Sequence, residues 1–363
     1  MLLKQLIELY DRLDSSTACG ATVKDYLLGI NEKADVTVYE LKGNGGKTDM
    51  IRIRVPGING KAAGKAAPTM GILGRLGGLG ARPERIGFVS DGDGALIALA
   101  VAAKLLDMQK KGDYLDGDVV ISTHICPDAP TKPHKPVAFM GSPVEMSQVN
   151  KEEVDGELDA ILSVDTTKGN RIINHRGFAI SPTVKEGYIL KVSDDLLDLM
   201  QITTGKLPQV FALSMQDITP YGNGLYHLNS ILQPATATDA PVVGVAVTTE
   251  TAVPGCATGA SHIIDLEEAA RFMLESAKAF GRGECKLFDE EEYGRLREFY
   301  GSMNRLKTLD GKEPEQAKAS GRNLGRICGK IYSSKAAVLY RAIGRAGGAA
   351  HPVFLYRQVS GLL

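Results

Sequence analysis

The chain has 363 residues, of which 44% are hydrophobic and 23% charged, and its 42 Lys and Arg residues nearly balance its 43 Asp and Glu residues. This is the composition of a globular protein with one large domain or two ordinary ones, and the near-zero net charge excludes a general attraction to nucleic acid or to a membrane surface. Five widely spaced cysteines without a CxxC pair argue against a disulfide framework or a zinc ribbon, and they favour a reducing compartment.

The first 75 residues alternate between helical and strand patterns. Apolar residues recur at helical spacing, which predicts amphipathic helices over 2–13 and 23–30. Two β-branched stretches flank a Gly-Asn-Gly-Gly turn, which predicts a hairpin of strands 36–41 and 50–55, and residues 69–73 predict a further strand. The first 30 residues mix charged and apolar positions unlike a signal peptide, and no apolar run is long enough to span a bilayer. We therefore expect a cytoplasmic protein.

Residues 86–111 predict a strand, a sharp acidic turn and a buried helix. Asp91 lies in that turn, and a carboxylate at a strand-to-helix turn lies at the crevice of an α/β sheet. There it can act as a helix cap, as a metal ligand, or as both. The glycine-rich stretch just before it lacks GK[ST] and is interrupted by Pro83, so it does not predict a nucleotide site.

Two further strands end in polar residues. Residues 118–125 predict a buried strand that leads into a proline-rich loop, where His124, Cys126, Asp128 and His134 are the densest cluster of potential ligands in the chain. Residues 158–164 predict another buried strand, and Asp165 follows it directly. Because Asp91 and Asp165 both lie at strand ends of one α/β sheet, we expect them to face a single crevice.

The rest of the chain predicts a hairpin over 178–192 and helices over 194–204 and 265–280. It also predicts strands over 210–214 and 242–247. His227 lies between the two strands, and Cys256 lies in a small-residue loop over 248–261 that lets backbone approach a ligand. Residues 306–363 hold 10 Lys and Arg against 3 Asp and Glu. We expect an α/β domain over 1–280 and a helical, partly basic extension over 281–363 that is solvated or contacts another copy of the chain.

Two strings, RLGGLGARPERIGFVSDGDGALIALAVA and THICPDAPTKPH, closely resemble a bacterial family known as domain of unknown function family 1177. The order of elements also resembles, more distantly, the co-catalytic zinc aminopeptidase/carboxypeptidase clan, especially its tetrahedral aminopeptidases. That resemblance implies a doubly wound mixed sheet of zinc-aminopeptidase type. The gaps where the clan inserts a lid domain are too short here to hold one, so the resemblance is to the catalytic core.

The resemblance carries three residues over as metal ligands. Asp91 falls where the clan has the carboxylate that bridges two zinc ions, and Asp165 falls where it has a terminal carboxylate ligand. The last zinc-binding His of the clan is replaced, with His262 a few residues later. Arg75 falls where the first zinc-binding His should be, and a guanidinium cannot activate a water molecule as a Lewis acid does. The resemblance therefore implies one divalent metal, Zn or Mn, or none.

The clan's pair of glutamates is replaced by Cys126-Pro127 or Pro127-Asp128, so Asp128 or His124 would have to act as base. Together these residues predict a hydrolase of a small amide, peptide-like or amino-acid-derived substrate. Arg75, Cys256 and His227 would bind the substrate, with Arg75 on its carboxylate.

Two alternatives stay open: a non-catalytic relative that binds an amino-acid-like ligand in the same crevice, and cysteine chemistry at Cys126 or Cys256. We expect a small-molecule substrate, no nucleic-acid or membrane partner, and a homo-oligomer.

Overall fold

The structure is a computed structural model, and it describes residues 2–75, 79, 81–82, 87–127, 129–132, 139–167, 169–214, 227–251 and 261–307. Within these ranges the fold is built on a mixed β-sheet with helices on both faces. The α/β class and the mixed sheet predicted from the sequence are thus confirmed.

The main sheet has the strand order β1-β2-β5-β3-β8-β12-β10-β11, and β9 pairs with the C-terminal half of β12. The three central strands β5, β3 and β8 run parallel, as does β12 beside β8, whereas β2 runs antiparallel to β5. A second, small sheet has the order β4-β6-β7. The strands are β1 Asp35–Gly43, β2 Gly46–Val55, β3 Met70–Gly74, β4 Ala81–Arg82, β5 Val119–Ile125, β6 Ala129–Lys132, β7 Phe139–Met140, β8 Ala160–Thr166, β9 Gly177–Ile180, β10 Val184–Lys185, β11 Tyr188–Ile189 and β12 Val242–Thr248.

Helices cover the two faces of this sheet unequally. The first face is packed by α1, α2, α3, α5 and α6, and the second by α4 and a 3₁₀ turn over Ser230–Thr236. The α-helices are α1 Leu3–Leu13, α2 Gly20–Ile30, α3 Asp93–Lys110, α4 Met146–Glu153, α5 Asp194–Thr204, α6 Ile263–Gly281 and α7 Glu290–Tyr300. No helix in the described ranges is long and apolar enough to cross a membrane.

Alternation along the strands sorts side chains between the two faces. Ile72, Ile121 and Leu162 belong to the large core under α3, whereas Leu73 and Ile161 belong to the smaller core on the opposite face. Because successive strand residues point to opposite faces, residues two and four positions further along share a face with the residue they follow. This alternation decides where the polar residues at the strand ends lie.

Helix α3 lies unusually close to the ends of β3 and β8. A Cβ atom built at Gly94 would lie 2.5 Å from the Val164 carbonyl oxygen and 2.8 Å from that of Arg75. Only a residue without a side chain allows this approach. The first turn of α3 is therefore held directly against the carboxyl ends of two central strands.

Several predicted elements differ in the structure. The predicted strand at 210–214 is wrong, since only Val210 makes an isolated bridge there, to Ile180. The hairpin predicted over 178–192 is much shorter, because only β10 and β11 pair with each other, and β9 instead extends the sheet beside β12. Residues 87–89 are not a strand but lead into a 3₁₀ turn over Ser90–Gly92. The hairpin of β1 and β2 is confirmed, and Gly43 pairs with Gly46 across its turn.

Candidate functional site

Three polar side chains share one row at the carboxyl ends of the central strands. The register pairs Leu73 with Ser122 and Gly74 with Val164, and the Arg75 amide donates to the Val164 carbonyl at 2.8 Å. Continued by one or two residues, this register places Arg75 between His124 of β5 and Asp165 of β8. All three side chains lie on the face of the smaller core. Arg75 follows Leu73 of that core by two positions, and His124 and Asp165 follow Val120 and Ile161 by four.

The acidic turn lies at the same edge. The 3₁₀ turn Ser90–Gly92 packs against β8, and Asp91 within it is buried. Asp93, also buried, accepts a hydrogen bond from the Ser261 hydroxyl and lies 3.5 Å from the Thr166 hydroxyl oxygen. Carboxylates are favoured here because the N-terminus of α3 carries a partial positive charge. The turn that holds Asp91 and the strand that holds Asp165 therefore meet at one rim of the sheet.

Arg75 is enclosed by the protein, with only 1% of its side chain exposed. Its Nη1 donates to Oε2 of Glu153, at the end of α4, and its Nη2 donates to Gln233 Oε1 at 2.7 Å. Glu153 is fully buried, and burial raises its pKa to about 7 although the charge of Arg75 acts in the opposite direction. Both terminal nitrogens of the Arg75 guanidinium therefore already donate to protein groups, one on α4 and one on the 3₁₀ turn Ser230–Thr236. These are the nitrogens that would have to bind a substrate carboxylate.

His124 is buried, and its Nδ1 lies 2.9 Å from the Thr48 hydroxyl oxygen. The Thr48 hydroxyl also lies 3.1 Å from the Ile125 carbonyl oxygen, to which it can donate. Burial, and then the positive charge of Arg75, lower the pKa of His124 to about 4. At neutral pH the ring is therefore uncharged.

Two other predicted histidines lie beside this region. His262 is the N-cap residue of α6; its side chain is 58% exposed, and its Nδ1 lies 3.5 Å from Asp265 Oδ2. Its neighbour Ser261 contacts Asp93, which connects this turn to the acidic edge. His227 is partly buried and lies three residues before the 3₁₀ turn that supplies Gln233.

The cysteines and the second predicted base are placed differently. Cys126 is buried, and its thiol donates to the Lys47 carbonyl at 3.7 Å. Asp128 and Cys256 lie outside the described residues.

A divalent metal ion at the edge would need several protein ligands of matching chemistry. Asp91 and Asp165 are carboxylates, which suit a hard divalent ion. Among the described residues, however, no three His, Cys, Asp or Glu side chains come together as ligands, and His262 therefore does not complete a set with the two aspartates there. The described part of the site does not fit a three-ligand metal centre, and the guanidinium of Arg75 lies in its row.

Sequence reasoning missed Glu153 and Gln233. Glu153 follows Glu152 in a short polar helix, a pattern typical of an exposed surface, and Gln233 lies in an irregular stretch. Their partner is 78 and 158 residues away in the chain. The signal that could have indicated such a contact is Arg75 itself, because it directly follows a predicted buried strand. A buried charge without a partner is very costly, so an arginine at this position requires an acidic partner.

The chain belongs to the family described as "Protein of unknown function (DUF1177)", which it matches over residues 39–310. This confirms the family resemblance seen in the sequence. No curated protein matches the chain.

Several solved structures are similar to this chain. The bottromycin maturation enzyme BotP, in complex with Mn, is 13% identical with a TM-score of 0.44, over 75% of this chain and 70% of the other. The LapA aminopeptidase of Legionella pneumophila is 13% identical with a TM-score of 0.43, over 79% and 71%. LapB of the same organism is 12% identical with a TM-score of 0.43, over 78% and 71%. Likeness at this level says nothing about a shared activity.

Proposed function

We propose that the carboxyl edge of the sheet is the active site of a hydrolase that acts on a small amide, either peptide-like or derived from an amino acid. The observation that supports this most is the meeting of the row His124, Arg75 and Asp165 with the turn that carries Asp91. The carboxyl edge of an α/β sheet is where ligands of such folds bind. We further propose a cytoplasmic homo-oligomer.

Asp91 and Asp165 bind a cation in this proposal. Two carboxylates near one another repel, and a cationic ligand offsets that cost. The cation is the protonated amine of the substrate, or it is one divalent metal ion, Zn²⁺ or Mn²⁺, held by these two carboxylates without a third protein ligand among the described residues. A bound metal ion would supply Lewis-acid chemistry. Cys256 and His227 contact the rest of the substrate.

Asp128 or His124 accepts a proton in this proposal. The lowered pKa of His124 makes its ring about as weak a base as an ordinary carboxylate. Proton transfer is most effective when the pKa of the base lies near the working pH. A weak base at this edge is also the observation that favours the second candidate function, a relative of the hydrolases that binds an amino-acid-like ligand without turnover.

Turnover of aminoacyl p-nitroanilides and amides distinguishes the two functions. We expect release of the amine by the wild-type protein at pH 7.5, measured after EDTA treatment and with added Zn²⁺ or Mn²⁺, and a loss of more than about a hundredfold in Asp91→Asn. Asp107→Asn is the matched control, because Asp107 lies in α3 and forms its ion pair with Lys111 far from the edge. Its turnover stays unchanged.

A melting temperature that rises with added amino-acid amides in the wild type and not in Asp91→Asn, without turnover, favours the binding function. Turnover that is equal in Asp91→Asn and the wild type contradicts the proposed site.

A further inference from the structure

Behind the row of His124, Arg75 and Asp165 lies a set of buried polar atoms that the proposed reaction does not use. Arg75 Nε, Glu153 Oε1, Asn150 Oδ1 and Ser122 Oγ are buried and have no hydrogen-bond partner among the described residues. Asn150 and Glu153 lie one turn apart on α4, and Ser122 precedes His124 by two positions on the same face of β5. Nearly all buried polar groups of native proteins are paired, so such a concentration marks a place with more than a packing role.

The Arg75–Glu153 ion pair is the centre of this set. Both side chains are essentially unexposed, and two buried charges gain stability only when their geometry is well satisfied. Arg75 Nε and Glu153 Oε1 are nevertheless without a partner among the described residues. An apolar pair of similar volume would serve packing at least as well. The pair therefore points to a requirement for charge at this position.

The acidic residues at the edge of the sheet explain why a charged pair is needed at this position. Asp91, Asp93 and Asp165 are buried carboxyl side chains at the rim, and Arg75 lies in the row with Asp165. Among the described residues, the groups that contact or lie beside Arg75 include Glu153 from α4, Gln233 from the 3₁₀ turn and, on the neighbouring strand, His124, which is uncharged at neutral pH. Glu153 therefore lies outside the row and pairs directly with the positive charge of Arg75.

We propose that Glu153 is a positioning residue of the candidate site, which holds the Arg75 guanidinium between His124 and Asp165 and offsets its charge, so that the edge stays negative enough to take a cationic ligand. The cationic ligand rests on the proposed function, whereas the hold on Arg75 does not. The ligand class follows from the charges: a divalent metal ion or a primary ammonium group.

The test uses three variants of the full-length protein. Glu153→Gln removes the carboxylate and keeps its shape. Glu152→Gln is the matched control, because Glu152 is the adjacent residue of α4 and accepts from the Tyr39 hydroxyl at 2.8 Å rather than from Arg75. The double variant Glu153→Gln with Gln233→Glu moves the carboxylate to the other nitrogen of the same guanidinium.

Two measurements are made on each variant. The Nε–H resonance of Arg75, assigned with Arg75→Lys, reports the position of the guanidinium and its exchange with solvent. Calorimetric titration with Mn²⁺ and with L-leucinamide at pH 7.5, above the pKa of about 7 of Glu153, reports cation binding while Glu153 is mostly ionised. In Glu153→Gln we expect the resonance to shift and exchange faster, and the affinity for the bound cation to fall about tenfold, as an uncompensated charge nearby requires. Both recover in the double variant, and neither changes in Glu152→Gln.

The two proposals fail in different ways. A wild-type protein that binds neither cation contradicts the proposed function, and the Arg75 resonance still decides the role of Glu153. A resonance that is unchanged in Glu153→Gln, that moves equally in Glu152→Gln, or that does not recover in the double variant overturns the proposal. If Glu153→Gln does not fold, the double variant decides, since it keeps a carboxylate on Arg75 and is expected to fold and to bind as the wild type does.

Discussion

At the scale of single residues, the edge of the sheet is defined by side chains whose protonation differs from that in water. Burial holds His124 uncharged at neutral pH, and it raises the pKa of Glu153 to about 7. Buried groups resist ionisation because the protein interior solvates charge poorly. The edge therefore combines the neutral imidazole of His124 and the guanidinium of Arg75 at the strand ends with the carboxyl group of Glu153 on α4, which titrates near neutral pH.

The titration of Glu153 predicts how stability depends on pH. The folded protein keeps this proton up to about pH 7, whereas the unfolded chain loses it near pH 4.5, so the contribution of Glu153 is present below pH 4.5 and is lost as the pH rises through 7. A shift of this size corresponds to about 3 kcal/mol. We expect the free energy of unfolding, measured in urea between pH 5 and 8, to fall more steeply with pH in the wild type than in Glu153→Gln.

Glu152→Gln keeps Glu153 and should therefore follow the wild-type slope. Equal slopes in the wild type and in Glu153→Gln would mean that Glu153 is ionised throughout this range.

At the scale of elements, the site depends on how closely α3 approaches β3 and β8. The carboxyl ends of these strands carry Arg75 and Asp165, the 3₁₀ turn before α3 carries Asp91, and the first turn of α3 carries Asp93. Gly94 allows this approach, because backbone oxygens of Arg75 and Val164 occupy the space that a side chain would need.

We predict that Gly94→Ala lowers the free energy of unfolding by about 2 kcal/mol, the usual cost of overfilling a packed interior. Gly294→Ala is the control, because Gly294 lies within α7 and a Cβ atom there would have no neighbour within 4 Å among the described residues. It should raise stability by up to about 1 kcal/mol through helix propensity. Urea unfolding of both variants checks this, and a Gly94→Ala protein as stable as the wild type would show that α3 can move away from the strands.

The sequence predicted the elements that local patterns specify. Apolar runs indicated β3, β5, β8 and β12, and a Gly-Asn-Gly-Gly turn indicated the hairpin of β1 and β2. The strand predicted at 210–214 failed because β propensity is decided by pairing partners, and only Val210 finds one.

Part of the candidate site was also predictable from local sequence patterns. His124 and Asp165 could be recognised because polar residues that end buried strands stand out in the sequence. Glu153 and Gln233 could not, because each becomes notable only through a contact with Arg75 that closes a loop of 78 or 158 residues. No local pattern encodes such a contact.

At the scale of the whole molecule, a chain with almost no net charge gathers three buried aspartates at one rim of its sheet. The large core and the smaller core lie on opposite faces of the sheet. The family to which the chain belongs is described as one of unknown function, and the rim is where we propose that its function lies.

Calorimetric titration of the wild-type protein with Mn²⁺ and with L-leucinamide tests this account most directly. We predict that one of the two cations binds once per chain, that Asp91→Asn and Asp165→Asn each weaken this binding at least about tenfold, and that Asp107→Asn leaves it unchanged. Binding of neither cation, or binding that survives both substitutions at the rim, would contradict the account.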